Sequence, residues 1–222
     1  MQAKPVCLKN KVMETLIGKK APNFKSQAVV NGGEIVENFS LNQYTGKKYV
    51  LFFFYPADFT FVCPTEIIAF QKRLADFESK NVQVVGCSVD SAFSHWKWLN
   101  TPKKEGGIEG VKYPIVADQS LLIADKYGVL AGEYVYDENG DVEYEGLPQA
   151  YRGLFIIDKE GLVRHMLIND MPLGRSVDEA LRVIDALQYS EKHGEVCPAD
   201  WHEGEDALKA DQKGISDYLS KH

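Results

Sequence analysis

Two short apolar runs, with a helical stretch between them, limit what this chain can fold into. Residues 48–55 read K-Y-V-L-F-F-F-Y, and residues 82–89 read V-Q-V-V-G-C-S-V. Both are apolar on successive positions, the pattern of a strand covered on both faces. From Pro64 to Lys80 the period changes. Ile67, Phe70, Leu74 and Phe77 recur at three- and four-residue steps, with Lys72, Arg73, Asp76 and Glu78 between them. This predicts one amphipathic helix. Strand, helix, strand is a βαβ unit with a right-handed crossover.

The rest of the chain extends that unit. Asp90 and Ser91 are placed to cap a helix carrying Trp96 and Leu99. A glycine-rich loop, Gly106–Gly110, precedes a short strand at Tyr113–Ala117 and a helix around Leu121–Tyr127. Tyr134–Tyr144 reads as a hairpin, with Asn139-Gly140 suited to a type I′ turn. Leu154–Ile157 and Leu162–Ile168 read as strands joined by D-K-E-G. Ser176-x-x-Glu179 is a capping-box signature opening a helix to about Ser190, with Val177, Leu181, Ile184 and Leu187 on its apolar stripe. After Gly194 the pattern becomes a polar tail, with one short helix expected near Ile215–Leu219. The expected fold is an α/β sandwich, a central sheet with helices on both sides. Residues 1–17 form an arm, 18–190 the main domain and 191–222 a C-terminal arm.

Charge and cysteine usage narrow the function. With 25 Lys and Arg against 32 Asp and Glu, the net charge is −7, which disfavours nucleic acid and anionic membrane as partners. No apolar stretch approaches the roughly 20 residues of a membrane span. Met1 to Lys20 carries lysines but no apolar block of a secretory signal, so a cytoplasmic protein is expected. The cysteines are Cys7, Cys63, Cys87 and Cys197. They form no C-x-x-C pair and are too sparse for a disulfide scaffold. His193, Cys197 and His202 are of metal-binding type, but their spacing is not a zinc signature, and no metal or organic cofactor is expected.

Cys63 occupies a reactive position. It lies between a buried strand and Pro64, a residue favoured at a helix start. There the backbone N–H groups and the helix dipole stabilise an anion, and the thiolate is the nucleophile. Thr60 is spaced to bring a hydroxyl beside the sulfur. Pro56, without a donor, closes one side against water. A carboxylate beside the sulfur opposes ionisation, so Glu66 is assigned to orienting a cation. Cys197 lies in H-G-E-V-C-P-A-D-W, a short polar segment where a thiol is accessible or held on a partner surface. Cys87, inside V-V-G-C-S-V, reads as core, and Cys7 has no assigned role.

The sequence resembles a typical 2-Cys peroxiredoxin of the bacterial alkyl hydroperoxide reductase C type. The pattern P-x-x-x-T-x-x-C appears as Pro56, Thr60 and Cys63 within F-Y-P-A-D-F-T-F-V-C-P-T-E. The likeness continues through V-V-G-C-S-V-D, Y-R-G-L-F-I-I-D, N-D-M-P-L-G-R-S-V-D-E-A and H-G-E-V-C-P-A-D-W, over roughly residues 16–204. The resemblance implies a thioredoxin-like fold with a central mixed sheet. It implies reduction of hydrogen peroxide and organic hydroperoxides, with regeneration by thioredoxin or a flavoprotein disulfide reductase. By it, Cys63 is the peroxidatic cysteine, shielded by Pro56, with Thr60 bonding sulfur and peroxide. Arg152 stabilises the thiolate and the breaking O–O bond, with Glu66 and Arg175 supporting it. Cys197 is the resolving cysteine, acting on the partner subunit's Cys63 in a homodimer that assembles to a decamer.

Three departures accompany the resemblance. Gly106-Gly107-Ile108-Glu109 and Tyr218-Leu219 only partly match the G-G-L-G and Tyr-Phe motifs of easily hyperoxidised members, which implies intermediate or low sensitivity. The stretch G-E-Y-V-Y-D-E-N-G-D-V-E-Y-E-G-L-P-Q is longer than the family pattern and reads as a surface hairpin. The arm carrying Cys7 also lies outside it. Two other readings compete: an oligomeric holdase chaperone or redox-relay protein, and a Cys–His hydrolase with Cys63 as nucleophile. The histidines His95, His165, His193, His202 and His222 sit in no partner motif, which disfavours the hydrolase.

Overall fold

A computed structural model describes residues 15–221. Cys7, His222 and most of the expected N-terminal arm lie outside the described residues. In chain order the elements are β1 (Ser26–Val30), β2 (Glu34–Phe39), β3 (Tyr49–Phe54), α1 (Cys63–Lys72), α2 (Leu74–Ser79), β4 (Val82–Ser88), α3 (Ala92–Leu99), β5 (Ile115–Ala117) and α4 (Leu122–Lys126). They continue with β6 (Leu130–Tyr136), β7 (Val142–Ala150), β8 (Arg152–Ile157), β9 (Val163–Asn169), α5 (Val177–His193) and α6 (Gln212–Leu219).

Seven strands form one mixed sheet in the order β2-β1-β5-β4-β3-β8-β9. β3, β4 and β5 run parallel at its centre, while β1 and β8 join antiparallel on either side. The successive apolar residues of β3 divide between two cores. Leu51, Phe53 and Tyr55 face one side, where they meet Ile67 and Phe70 of α1, Phe77 of α2, Trp98 of α3 and Leu181 and Ile184 of α5. Val50, Phe52 and Phe54 face the other, with Ile123 and Ala124 of α4 and Tyr127 beyond it. This is the expected α/β sandwich, a mixed sheet with helices on both faces.

Three local expectations change, and one further hairpin appears. The helix expected over Pro64–Lys80 divides at Arg73, whose φ of −104° and ψ of 11° end α1. The apolar period runs through the break because Phe70 and Phe77 still pack together, with ring centroids 6.1 Å apart. The turn at Asn139-Gly140 is not type I′, since only Gly140 has a positive φ, 86°. Instead Asp137 organises the turn: its Oδ1 accepts from the N–H of Asn139 and of Asp141. The type I′ geometry appears at Asn31-Gly32, where both φ values are positive and the Gly33 N–H donates to the Val30 carbonyl. That turn joins β1 and β2, which the sequence reading passed over. Ser176 caps α5 by accepting from the Glu179 N–H, but the Glu179 carboxylate pairs with Arg182.

The hairpin β6-β7 stands as its own two-stranded sheet. No Lys or Arg occurs from Tyr127 to Tyr151, while Glu133, Asp137, Glu138, Asp141, Glu143 and Glu145 do. At the far end of the main sheet, β9 is an edge strand. Residues 17–20 bridge only to Leu162 and Val163, at its start.

Candidate active site

The β3–α1 connection carries Pro56, Thr60 and Cys63. Cys63 is fully buried and is itself the first residue of α1, so the helix opens one residue before Pro64. Its sulfur is therefore set at the positive end of the helix. From β8, Arg152 Nη1 donates to Cys63 Sγ at 3.5 Å and to Glu66 Oε2 at 2.6 Å. Arg152 Nε donates to the Met171 carbonyl at 2.6 Å, which fixes the plane of the guanidinium.

Glu66 joins two arginines. Its Oε1 accepts from Arg175 N and Nε, each at 2.8 Å, and its Oε2 accepts from Arg175 Nη2 at 3.1 Å. Arg175 Nη1 is taken by the carbonyls of Phe54 (2.8 Å) and Gly153 (2.6 Å). Glu66 is 4 % exposed, Arg152 3 % and Arg175 9 %. Two cations and one carboxylate leave an excess positive charge beside the sulfur. Burial pushes Arg175 below the usual guanidinium range, and Glu66 opposes that shift. In a low-dielectric site, fixed donors of this kind act strongly on an adjacent anion.

Pro56 is buried at the end of β3. Thr60 Oγ1 donates to the Ala57 carbonyl at 2.9 Å, so its single proton is directed at the backbone rather than at the sulfur. The structure does not bring Cys197 to this cluster. It follows α5, partly buried, with Sγ 3.5 Å from the Ala186 carbonyl, and both it and Cys63 are free thiols. Burial pushes the Cys197 thiol up, Arg182 draws it down and Glu195 raises it further. Cys87 is fully buried, and burial first, then Asp118, holds its thiol well above the ordinary range.

A neighbouring buried cluster escaped the sequence reading. Asp58, in the same loop as Thr60, bonds His95 on α3. The available signal was position: Asp58 and Asp90 follow the carboxyl ends of two adjacent parallel strands, where α/β folds place functional groups. Among the described residues, His95 meets Asp58 and the side-chain partner of Cys63 Sγ is Arg152, an arrangement that favours a thiolate over a Cys–His hydrolase pair.

Comparisons agree with this architecture. The AhpC/TSA family matches residues 17–166, and the C-terminal domain of 1-Cys peroxiredoxin matches residues 186–221. Peroxiredoxin-1 of Gallus gallus is 50% identical over 208 residues, covering 94% of this chain and 97% of that protein. Peroxiredoxin-2 of Macaca fascicularis is 50% identical over 206 residues, covering 93% and 96%. The reduced 2-Cys peroxiredoxin of Plasmodium vivax superposes with a TM-score of 0.83 at 43% identity, covering 93% of this chain and 100% of that one. With its thiol at a helix start and an arginine on the sulfur, the chain belongs to the AhpC/TSA family and is a typical 2-Cys peroxiredoxin, a thiol-dependent peroxidase.

Proposed function

We propose that Cys63 is the peroxidatic residue and Cys197 the resolving one. The observation that carries this is the single Arg152 nitrogen shared between Cys63 Sγ and Glu66 Oε2. That nitrogen favours the thiolate and sits where charge develops on the departing oxygen. The thiolate attacks the terminal peroxide oxygen. An S–O bond forms, the O–O bond breaks, sulfur is oxidised to sulfenic acid, and the departing alkoxide or hydroxide takes a proton. Thr60 turns from Ala57 toward the peroxide when substrate is present, and Pro56 keeps bulk water out. Glu66 and Arg175 hold Arg152.

The Cys197 thiolate of a partner subunit then attacks the sulfenic sulfur; the S–S bond forms, the S–O bond breaks, and the departing hydroxide takes up a proton and leaves as water. The C-terminal arm, 191–222, presents this thiol. Thioredoxin or a flavoprotein disulfide reductase returns the pair to thiols. Pairing of two copies along the open part of the β9 edge is an isologous contact that gives the homodimer, and dimers assemble to a decamer in the cytoplasm. Peroxide turnover tests the reading. Cys63→Ser abolishes it while leaving any holdase activity intact, and Cys197→Ser permits a single turnover only. Sustained turnover by Cys63→Ser refutes the assignment.

A further inference from the structure

The site described so far anchors Cys63 from one side, through α1, β8 and the segment before α5. The loop that leads into it, residues 55–62, is anchored from the opposite side by a separate buried network. Asp58 Oδ1 accepts from Tyr55 OH at 2.8 Å. Asp58 Oδ2 accepts from Ser94 Oγ at 2.8 Å and lies 2.8 Å from His95 Nδ1. The Asp58 N–H donates to Asp90 Oδ2 at 2.8 Å, and Ser88 Oγ donates to the same oxygen at 2.6 Å. His95 is fully buried, and its Nε2 lies 3.2 Å from the Val116 carbonyl.

A carbonyl oxygen only accepts, so Nε2 carries a proton. Asp58, already accepting two hydroxyl protons, also faces Nδ1 as an acceptor. His95 and Asp58 thus form a buried hydrogen-bonded pair that ties the loop to α3. Its members lie on different elements: Asp58 on the loop, His95 and Ser94 on α3, Asp90 after β4 and Val116 on β5. The next residue, Phe59, is in the left-handed region at φ 53°, a conformation a non-glycine residue holds only when its surroundings impose it. The Phe59 ring packs on the buried Trp98 of α3, with centroids 5.6 Å apart.

We propose that Asp58 and His95 are positioning residues for the peroxidase reaction: they clamp the loop to α3 so that Cys63 Sγ stays seated against Arg152. Thr60 and Cys63 hang between this clamp and Glu66. The clamp touches neither sulfur nor peroxide and acts only through the loop. It also sets how readily the loop opens to expose Cys63. This rests on Cys63 being the peroxidatic thiol.

The test measures two rates at Cys63 in Asp58→Asn and His95→Gln, in the full-length reduced protein with the other cysteines intact. One is oxidation by hydrogen peroxide, which needs the sulfur seated on Arg152. The other is alkylation by iodoacetamide, read at Cys63 by mass spectrometry, which needs only access. Loss of the clamp lowers the peroxide rate about 10- to 100-fold, the scale of a misplacement near 1 Å, while alkylation speeds up. Trp98 emission shifts in parallel as Phe59 leaves it. The double variant costs no more than the larger single one.

A purely structural role lowers the melting temperature but leaves the peroxide rate of the folded protein at the wild-type value. That result, or both rates falling together, overturns the proposal. If either variant fails to fold, Ser94→Ala removes one bond to Asp58 and moves both rates in the same opposite senses, less far; unchanged rates there also overturn it. Cys63→Ser, run alongside, separates the two claims. If it retains peroxide turnover, the parent reading fails. If it loses turnover while the clamp variants match wild type, only the clamp fails.

Discussion

Replacing Glu66 with Gln keeps the side chain's size and removes its charge. In the native site this carboxylate accepts four hydrogen bonds, three from guanidinium nitrogens and one from the Arg175 N–H. An amide offers one accepting oxygen, and its NH₂ faces guanidinium donors. Two buried cations are left without their counter-charge. Breaking a buried ion pair by removing one partner costs about 3–5 kcal/mol. The amide keeps part of the bonding, so a loss of about 3 kcal/mol is expected. For a chain of this length that lowers the melting temperature by about 6–12 °C. Arg152 keeps its bond to the Met171 carbonyl but loses the anchor that fixes Nη1 against Cys63. The second-order rate with hydrogen peroxide then falls by about 100-fold. Stopped-flow peroxide reduction on reduced protein, with a parallel thermal melt, reads both. A Glu66→Gln variant that melts within 2 °C of wild type, with an unchanged peroxide rate, would falsify the arginine-holding role.

Other consequences follow from named features. Replacing 133–146 with a short Gly-Ser link shifts the melting temperature by less than about 3 °C, because among the described residues β6 and β7 pair only with each other; a larger loss means the hairpin supports the main sheet. Cys87 resists alkylation in the native protein, since burial and Asp118 hold its thiol up, and mass spectrometry finds it labelled only after unfolding. The raised Cys197 thiol leaves little thiolate at neutral pH. Disulfide formation therefore accelerates from pH 7 toward 9, by up to about tenfold per unit, and Arg182→Gln slows it most at the low end. A flat profile, or no effect of Arg182, removes that cause. Sulfinic acid on Cys63 stays low in cycling enzyme at near-stoichiometric peroxide; its accumulation there contradicts the reading of the partial Gly106–Glu109 and Tyr218-Leu219 motifs.

The centre of the fold was legible because β3 and β4 are apolar on both faces, and only a strand with neighbours above and below needs that. β1 and β2 were not. Half the residues of E-I-V-E-N-F are exposed, and the alternation that marks an edge strand is weak there. The Asn31-Gly32 turn was the available signal, while Asn139-Gly140, the pair singled out, sits in a longer loop run by Asp137. The split at Arg73 left no trace because both halves of the helix keep the same apolar face.

The site divides the same way. Cys63 and Glu66 lie within one helical turn, and local rules place the thiol at the helix start. Arg152 and Arg175 lie 89 and 109 residues from their partners Cys63 and Glu66, and no spacing rule connects them. Their place beside α1 came from the resemblance of Y-R-G-L-F and P-L-G-R-S to known members. Asp58 and His95, 37 residues apart, needed the parallel register of β3 and β4 to bring the loop against α3.

The most direct test of the catalytic cycle is non-reducing electrophoresis of wild type, Cys63→Ser and Cys197→Ser after one equivalent of hydrogen peroxide, with peptide mapping of the crosslink. The account predicts a peroxide-dependent covalent dimer in wild type, joined Cys63 to Cys197, and monomers in both variants. A crosslink through Cys7 or Cys87, or none at all, contradicts it.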